Sequence, residues 1–221
     1  MPHQPVEDGR GPVRSPARRA GQPLQDLTGT PKLFVVTGPS GAGKGTLIRA
    51  LLERRDDLEV AISATTRPQR PGEEDGREYY FLSEAEFLAR KAADEFLEEV
   101  TYVSGQRYGT LNAEVDRIRG EGKSCVLELE TQGAKDVEGK QPDAVSIFIT
   151  APISELERRL RARDTESAGE IGERLELARR QLDEADDFDY VVQNDDVGRA
   201  VEELQEIVRR SVGAPATLRE R

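Results

Sequence analysis

Short apolar runs alternate with segments of helical periodicity from residue 32 onward. The apolar runs predict buried strands, at residues 33–36, 60–62, 125–130, 144–150 and 190–192. Helical spacing and N-terminal capping signals predict helices between them, at residues 46–54, 83–93, 112–120, 152–161, 170–186 and 197–210. Because strands and helices alternate, we expect an α/β fold whose core is a parallel sheet flanked by helices.

The alternation breaks down between residues 60 and 110, where Pro, Gly and charged residues surround short predicted strands near residues 79–81 and 99–104. A small mixed α/β insert that binds substrate would fit this stretch. The folded domain is therefore predicted at 31–210, with a core of 31–62 and 111–210 and an insert at 63–110.

The two ends of the chain lack this periodicity. Residues 1–30 contain five of the twelve prolines and are predicted to be a disordered extension. A transit peptide is the alternative, although acidic residues interrupt the segment. Residues 211–221 are predicted to be a flexible C-terminal tail.

Charge and residue usage narrow the chemistry. The net charge of −11 argues against nucleic acid or anionic lipid as the main partner, and no apolar run is long enough to span a bilayer. The only cysteine, Cys125, is expected to be a buried strand residue, and the only histidine is His3. The body therefore cannot hold a Ser-His-Asp triad or an ordinary structural zinc site. Phosphoryl transfer, which needs only Arg, Lys, carboxylates and a hard metal ion, is the leading chemistry.

A glycine-rich segment follows the first predicted strand and precedes the first predicted helix. It has the spacing of a phosphate-binding loop, and its residues are Gly38, Pro39, Ser40, Gly41, Ala42, Gly43, Lys44, Gly45 and Thr46. Backbone N–H groups and the helix N-terminus would hold the phosphates of ATP, and Lys44 would neutralise charge on them. Gly45 stands where the common motif has a Ser or Thr that binds Mg²⁺. We therefore expect phosphates and water to hold the ion, with carboxylates nearby.

Two arginines in a proline-rich loop, Arg67 and Arg70, precede Tyr79 and Tyr80. Guanidinium and phenol groups suit a phosphate monoester. From composition alone, the alternative is that both arginines are ordinary surface residues that face solvent.

The stretch from Ser63 to Tyr79 has a pattern that is more specific to one protein family than the phosphate loop alone. Together with the phosphate loop upstream and Tyr108-Gly109-Thr110 downstream, it resembles guanylate kinase in the order and spacing of its elements from about residue 32 to residue 208. The resemblance implies a P-loop NTPase-type fold and ATP-dependent phosphorylation of GMP and dGMP, with Mg²⁺ accompanying ATP. It also implies a cytoplasmic protein, a monomer or small homo-oligomer, whose partners are small nucleotides.

The resemblance assigns residues to the GMP site. It implies that the phosphate is bound by Arg67, Arg70, Tyr79 and Tyr108, and the guanine by Ser63, Glu99 and Thr110. One carboxylate can accept from both N1–H and N2–H of guanine, which adenine cannot satisfy. Strand alternation turns only one of Glu98 and Glu99 inward, and the spacing to Tyr108 favours Glu99, although a solvated strand position is the alternative.

Two further acids, Glu128 and Glu130, occupy positions where the family usually has aspartates. Alternation places both on one face at the end of a central strand, where they would contact a cation or the base. An ordinary charged strand end is the alternative.

A lid at about residues 159–174 is also implied by the resemblance. Besides Lys44, the catalytic groups would be Arg159, Arg163 and Arg174, which would cover the transferring phosphoryl group. Arg158 and Arg161 are expected to be ordinary surface residues, and Asn194 is assigned to the adenine side.

Two other functions remain open. One is a guanylate kinase-like module that binds a partner without catalysis, which the retained Gly43-Lys44 pair disfavours. The other is a kinase for a different nucleoside monophosphate, which the ending Lys44-Gly45-Thr46 favours.

Overall fold

A computed structural model describes residues 30–102, 104–161 and 168–213 of the 221-residue chain. The predictions for residues 1–29, for Arg163 and for residues 214–221 lie outside this part. Within it, no helix has the length and apolar character needed to cross a membrane.

The strands and helices are numbered separately in chain order. The strands are β1 Leu33–Thr37, β2 Leu58–Val60, β3 Ala64–Thr65, β4 Tyr80–Phe81, β5 Phe96–Thr101, β6 Arg107–Leu111, β7 Ser124–Glu128, β8 Val145–Thr150 and β9 Tyr190–Gln193. The helices are α1 Lys44–Leu52, α2 Glu84–Ala92, α3 Asn112–Gly120, α4 Thr131–Lys140, α5 Ile153–Arg161, α6 Ala168–Asp183 and α7 Val197–Gly213.

The main sheet has five parallel strands in the order β2-β7-β1-β8-β9, which confirms the predicted parallel core. Apolar side chains bury both faces of this sheet. Leu47 and Leu204, from α1 and α7, pack on one face, and Ile118 and Val137, from α3 and α4, pack on the other. Ligands of such sheets bind at the carboxyl ends of the strands, where the order reverses. Here that point is the end of β1, between β7 and β8.

The insert is built on a second sheet, of order β4-β3-β6-β5, which contains parallel and antiparallel pairs. It has its own small core of Ala64, Phe87, Phe96 and Leu111. The rings of Phe87 and Phe96 stack with centroids 4.4 Å apart. Helix α2 covers this core and begins with the predicted capping box between Ser83 and Glu86.

Several predicted boundaries were displaced. Helix α1 begins at Lys44 instead of residue 46, and strands β2 and β5 lie two to three residues earlier than predicted. Helix α7 continues to Gly213, with Ser211 and Val212 buried, so the predicted tail start at residue 211 was too early.

Helix α4 was missed entirely. Its sequence contains Gly133 and Gly139, both poor helix formers, and its only buried apolar residues are Ala134 and Val137. The apolar stripe is therefore too weak to reveal a helix. Packing of this short face against the main sheet stabilises it instead.

Candidate active site

The phosphate loop connects β1 to α1 and folds tightly against neighbouring backbone. Gly38 has φ +136°, and a Cβ there would lie 2.2 Å from the carbonyl oxygen of Ile149. Gly43 has φ +90°, and its Cβ would lie 2.4 Å from Asn194 Nδ2. Only glycine fits these two positions, because the conformation and the lack of space both exclude a side chain.

Lys44 begins α1 and turns back over the loop. Its Nζ donates a hydrogen bond to the carbonyl oxygen of Gly38 at 2.7 Å. The side chain also lines a cleft of about 600 Å³ that lies between the carboxyl end of β7 and the insert. The ammonium group is thus close to both the phosphate loop and the cleft.

The cleft brings together most of the predicted substrate residues. Of these it is lined by Lys44, Ser63, Tyr79, Tyr108, Glu128 and Glu130. Two residues that were not predicted to bind substrate also line it, the acidic Glu98 and the aromatic Tyr102. The site therefore combines one cation from the core with carboxylates from both sheets and phenols from the insert.

Arg67 lies behind two of the cleft tyrosines. Its side chain is 7% exposed, and its Nη2 donates to Glu73 Oε1 at 2.8 Å. The guanidinium carbon lies 5.3 Å from the centre of the Tyr79 ring, and the Tyr79 and Tyr108 rings meet edge to face at 5.8 Å. The hydrogen bond that Arg67 donates to Glu73 raises the pKa of Arg67 despite burial, so the group is a permanent cation.

Arg70 does not join this cluster. Its side chain is exposed, and it contacts Glu73 through its backbone. Its N–H donates to Glu73 Oε2 at 2.8 Å, and its carbonyl oxygen accepts from the Glu73 N–H at 3.1 Å. Glu73, which sequence reasoning gave no role, therefore organises both arginine positions.

The inward acid of β5 is Glu98, and the prediction of Glu99 was wrong. Glu98 is 5% exposed and lines the cleft. Glu99 turns to the other face and forms an ion pair with Lys91 of α2. The reason is an irregularity in the β5–β6 pairing between Phe96 and Glu98, which shifts the alternation by one residue.

Thr110 and Gly133 define the surroundings of Glu98. Thr110, which is 1% exposed, donates its hydroxyl to Glu98 Oε1 at 2.8 Å. On the opposite side, a Cβ on Gly133 would lie 3.0 Å from Glu98 Oε2. Burial raises the pKa of Glu98, and the Thr110 hydrogen bond partly offsets the rise. A polar partner in the cleft would stabilise the carboxylate form.

Glu128 ends β7 and Glu130 precedes α4, and both line the cleft on one face, as alternation predicted. Their contact with a cation or the base stays a prediction. Burial by the surrounding protein raises the pKa of Glu128, and the charge of Lys44 partly offsets the rise. A Cβ on Gly45 would lie 3.3 Å from Glu128 Oε2. The glycine therefore leaves room for glutamate, which is longer than the aspartate usual in the family. Glu130 accepts a hydrogen bond from the Tyr102 hydroxyl at 3.3 Å.

Arg159 does not reach over the cleft, contrary to the prediction for a lid arginine. Its Nε donates to Glu155 at 2.7 Å, and its Nη1 donates to the carbonyl oxygens of Gly41 and Ala42 at 3.2 Å. Its Nη2 donates to the carbonyl oxygen of Asn194 at 3.1 Å. With three of its nitrogens engaged in this way, the side chain braces the back of the phosphate loop.

Three further arginines in the described part of this region lie on helix surfaces. Arg174 is exposed on α6. Arg158 and Arg161 are exposed and pair with acids of their own helix, which confirms the surface assignment.

Asn194 connects the loop after β9 to the phosphate loop. It is 2% exposed, and its Nδ2 donates to the carbonyl oxygen of Ala42 at 2.6 Å. Its Oδ1 is buried without a hydrogen-bond partner in the described part of the chain. This agrees with a location beside the phosphate loop, on the side away from the insert.

A parallel sheet with a phosphate loop at its carboxyl edge, facing an insert with an acidic and phenolic cleft, defines a P-loop phosphotransferase with a separate acceptor site. The guanylate kinase family model matches residues 30–211. The chain is 49% identical over 182 residues to the guanylate kinase of Rubrobacter xylanophilus, covering 82% of this chain and 95% of that one. It is 45% identical over 178 residues to the guanylate kinase of Synechococcus sp. strain JA-3-3Ab, covering 80% and 82%.

A solved structure agrees with these sequences. The crystal structure of guanylate kinase from Anaplasma phagocytophilum superimposes with a TM-score of 0.67 at 27% identity, covering 85% of this chain and 89% of that one. The chain belongs to the guanylate kinase family, as the resemblance in the sequence implied.

Proposed function

We propose that this protein transfers the γ-phosphoryl group of ATP to the phosphate of GMP, giving ADP and GDP. The observation that carries the proposal is the position of Glu98, which accepts a hydrogen bond from the buried Thr110 hydroxyl, in one cleft with Lys44. A base-recognition carboxylate and a phosphate-binding lysine thus face a common space. The same site would accept dGMP, since the proposed contacts are to the base and the phosphate and none is to the ribose 2′-hydroxyl.

The donor nucleotide binds at the phosphate loop. Backbone N–H groups between Gly38 and Lys44 and the N-terminus of α1 supply partial positive charge to the phosphates. Lys44 exchanges its hydrogen bond with Gly38 for the β- and γ-phosphates and stabilises the charge that develops during transfer. Asn194 and Arg159 hold the back of the loop in place.

The acceptor phosphate binds next to the tyrosine pair. Tyr79 and Tyr108 line the cleft, and the Arg67 guanidinium behind Tyr79 contributes a fixed positive charge. Arg70 lies on the same loop, and its exposed side chain supplies a second guanidinium when GMP is bound. Phosphate monoesters are well matched by this set of donors.

Glu98 selects the base. Its carboxylate accepts hydrogen bonds from N1–H and N2–H of guanine. The hydroxyl groups of Ser63 and Thr110 contact the edge of the base. Adenine offers no N1–H, so a buried Glu98 would remain incompletely paired in its complex. Glu98 replaces Glu99 in this proposed role because of its position in the cleft.

Magnesium is assigned to the ATP phosphates. The chain offers Glu128 and Glu130 on the cleft floor, both oxygen donors of the type Mg²⁺ prefers. In the described ranges no group of three or more His, Cys, Asp and Glu side chains is arranged to hold a metal. Glu128 and Glu130 would hold such an ion through its bound water, and the ATP phosphates would supply its other oxygen ligands. When bound, the ion neutralises phosphate charge.

The lid role is retained for Arg163 and Arg174, while Arg159 is assigned to positioning the phosphate loop. We further assign the protein to the cytoplasm, where its nucleotide substrates are made and used, as a monomer or small homo-oligomer. Nucleic acid is not a proposed partner because the net charge of −11 disfavours a polyanion.

The test is a parallel measurement of Mg²⁺- and ATP-dependent phosphorylation of GMP, AMP, UMP and CMP. We expect kcat/KM for GMP to exceed that for AMP by at least about 10³-fold, because a site built around paired hydrogen bonds rejects a mismatched analogue strongly. Equal use of AMP and GMP would remove the specificity claim. GMP binding without turnover would instead indicate a non-catalytic binding module.

A further inference from the structure

The insert is joined to the core at two places in the chain. One is the step from Ile62 to Ser63 after β2, and the other is the step from β6 to α3 at Leu111 and Asn112. The orientation of the insert across the cleft depends on how these two connections are held. One buried acid, Glu114 in the first turn of α3, lies next to both of them.

Glu114 contacts the first connection with one oxygen and the insert with the other. Its Oε1 accepts the backbone N–H of Ile62 at 3.1 Å, and its Oε2 accepts the hydroxyl of Tyr80 at 3.0 Å. Ile62 directly precedes Ser63, and Tyr80 directly follows Tyr79, and both of these neighbours line the cleft. Each contact is therefore one residue away from a substrate-binding side chain.

The same carboxylate is fixed to the core by Arg117. The guanidinium donates to Glu114 from Nε at 3.1 Å and from Nη2 at 3.0 Å, and it also pairs with Glu59 and Glu121. Burial alone would raise the pKa of Glu114, but Arg117, Ile62 and Tyr80 together lower it. Glu114 is thus held as a charged group at 4% exposure.

We propose that Glu114 is a positioning residue that sets the orientation of the insert relative to Lys44 through its hydrogen bonds to Ile62 and Tyr80. The proposal rests on the function proposed above, because the distance it controls is the one between the acceptor and donor sites. Small displacements of reacting groups have large effects on rate and on substrate binding. A group that only stabilised the fold would have no preference between the two substrates.

The experiment compares Glu114→Gln, Tyr80→Phe and Glu121→Gln in the full chain. Glu114→Gln keeps the size of the side chain but weakens the contacts to Ile62 and Tyr80. Tyr80→Phe removes one hydrogen bond and leaves the buried charge in place. Glu121→Gln is the matched control, since Glu121 pairs with Arg117 at 2.9 Å and is exposed, away from the insert.

The readouts are KM for GMP and for ATP, GMP affinity by calorimetry, and hydrogen exchange of the backbone segment containing Ile62. For Glu114→Gln we expect KM and Kd for GMP to rise roughly 10-fold, KM for ATP to stay within about twofold, and exchange at Ile62 to accelerate. Tyr80→Phe should raise KM for GMP about threefold, the effect of one lost hydrogen bond. Glu121→Gln should change none of these values.

Equal increases in KM for both substrates, or a loss of stability with unchanged GMP binding, would overturn the proposal. If Glu114→Gln does not fold, an unchanged GMP affinity in Tyr80→Phe would overturn it as well. Absence of GDP formation by the wild-type protein would contradict the proposed function alone, because the calorimetry and exchange measurements do not require turnover.

Discussion

Replacing Glu98 by Gln tests how the cleft recognises its base. The substitution keeps the shape of the side chain but converts one oxygen into an NH₂ group. Thr110 donates to Oε1 at 2.8 Å, so the amide oxygen is retained on that side. The NH₂ group then faces the guanine donors that the carboxylate would accept.

The expected loss follows from these contacts. Two hydrogen bonds to a charged acceptor disappear, and each contributes about 1.5 kcal/mol at the lower end of the usual range. The sum of about 3 kcal/mol corresponds to a roughly 100-fold decrease in kcat/KM for GMP. A coupled assay of ADP formation with varied GMP measures it. The control is Glu99→Gln, which removes only the partly exposed pair with Lys91 and should leave kcat/KM unchanged.

The pH dependence of stability distinguishes a role of Glu98 in base recognition from a role in stabilising the fold. Because the folded-state pKa of Glu98 is raised above 4.5, the folded protein binds this proton more tightly than the unfolded chain does. The Glu98 contribution to stability is therefore present below pH 4.5 and is lost as pH rises through the folded-state pKa. Glu98→Gln lacks this loss, so its melting temperature at neutral pH should equal or exceed that of the wild type. A larger kinetic defect in Glu99→Gln, or a melting temperature that falls in parallel with activity, would refute the reasoning.

Two further substitutions test the phosphate loop and helix α4. Lys44→Ala should lower kcat by at least about 10²-fold with an unchanged circular dichroism spectrum, and a near-normal rate would contradict its assignment to phosphate binding. Gly133→Ala should impair GMP use because its Cβ would lie 3.0 Å from Glu98 Oε2. The control Gly139→Ala has no atom within 4 Å of its Cβ and should instead stabilise α4 by about 0.5–1 kcal/mol, as measured by thermal unfolding. Equal kinetic effects of the two glycine substitutions would exclude the crowding of Glu98 as the cause.

The core of the fold could be predicted from sequence because its signals are local. The apolar run of β8 and the glycine pattern before Lys44 each specify one element without reference to the rest of the chain. Helix α4 gave no such signal, since a short face stabilised by tertiary packing leaves little periodicity. Its existence could be known only from the structure.

The sequence indicated which segments line the cleft, but not the direction of every side chain on them. The spacing to Tyr108 made Glu99 the expected inward acid of β5, but the irregular pairing between Phe96 and Glu98 turns Glu98 inward instead. The position of Arg159 was also missed, because its contacts with the carbonyl oxygens of Gly41 and Ala42 join segments far apart in the chain. Neither feature has a signature in the residue pattern itself.

The separate hydrophobic core of the insert has a consequence for how this enzyme can change. Phe87 and Phe96 stack in a cluster of their own, while the phosphate loop rests on the residues packed around Leu47 and Ile149. Mutations that reshape base selection within the insert therefore act on a unit that has a small core of its own. Evolution, or a protein engineer, could exchange the preferred acceptor in small steps while the machinery that handles ATP stays intact.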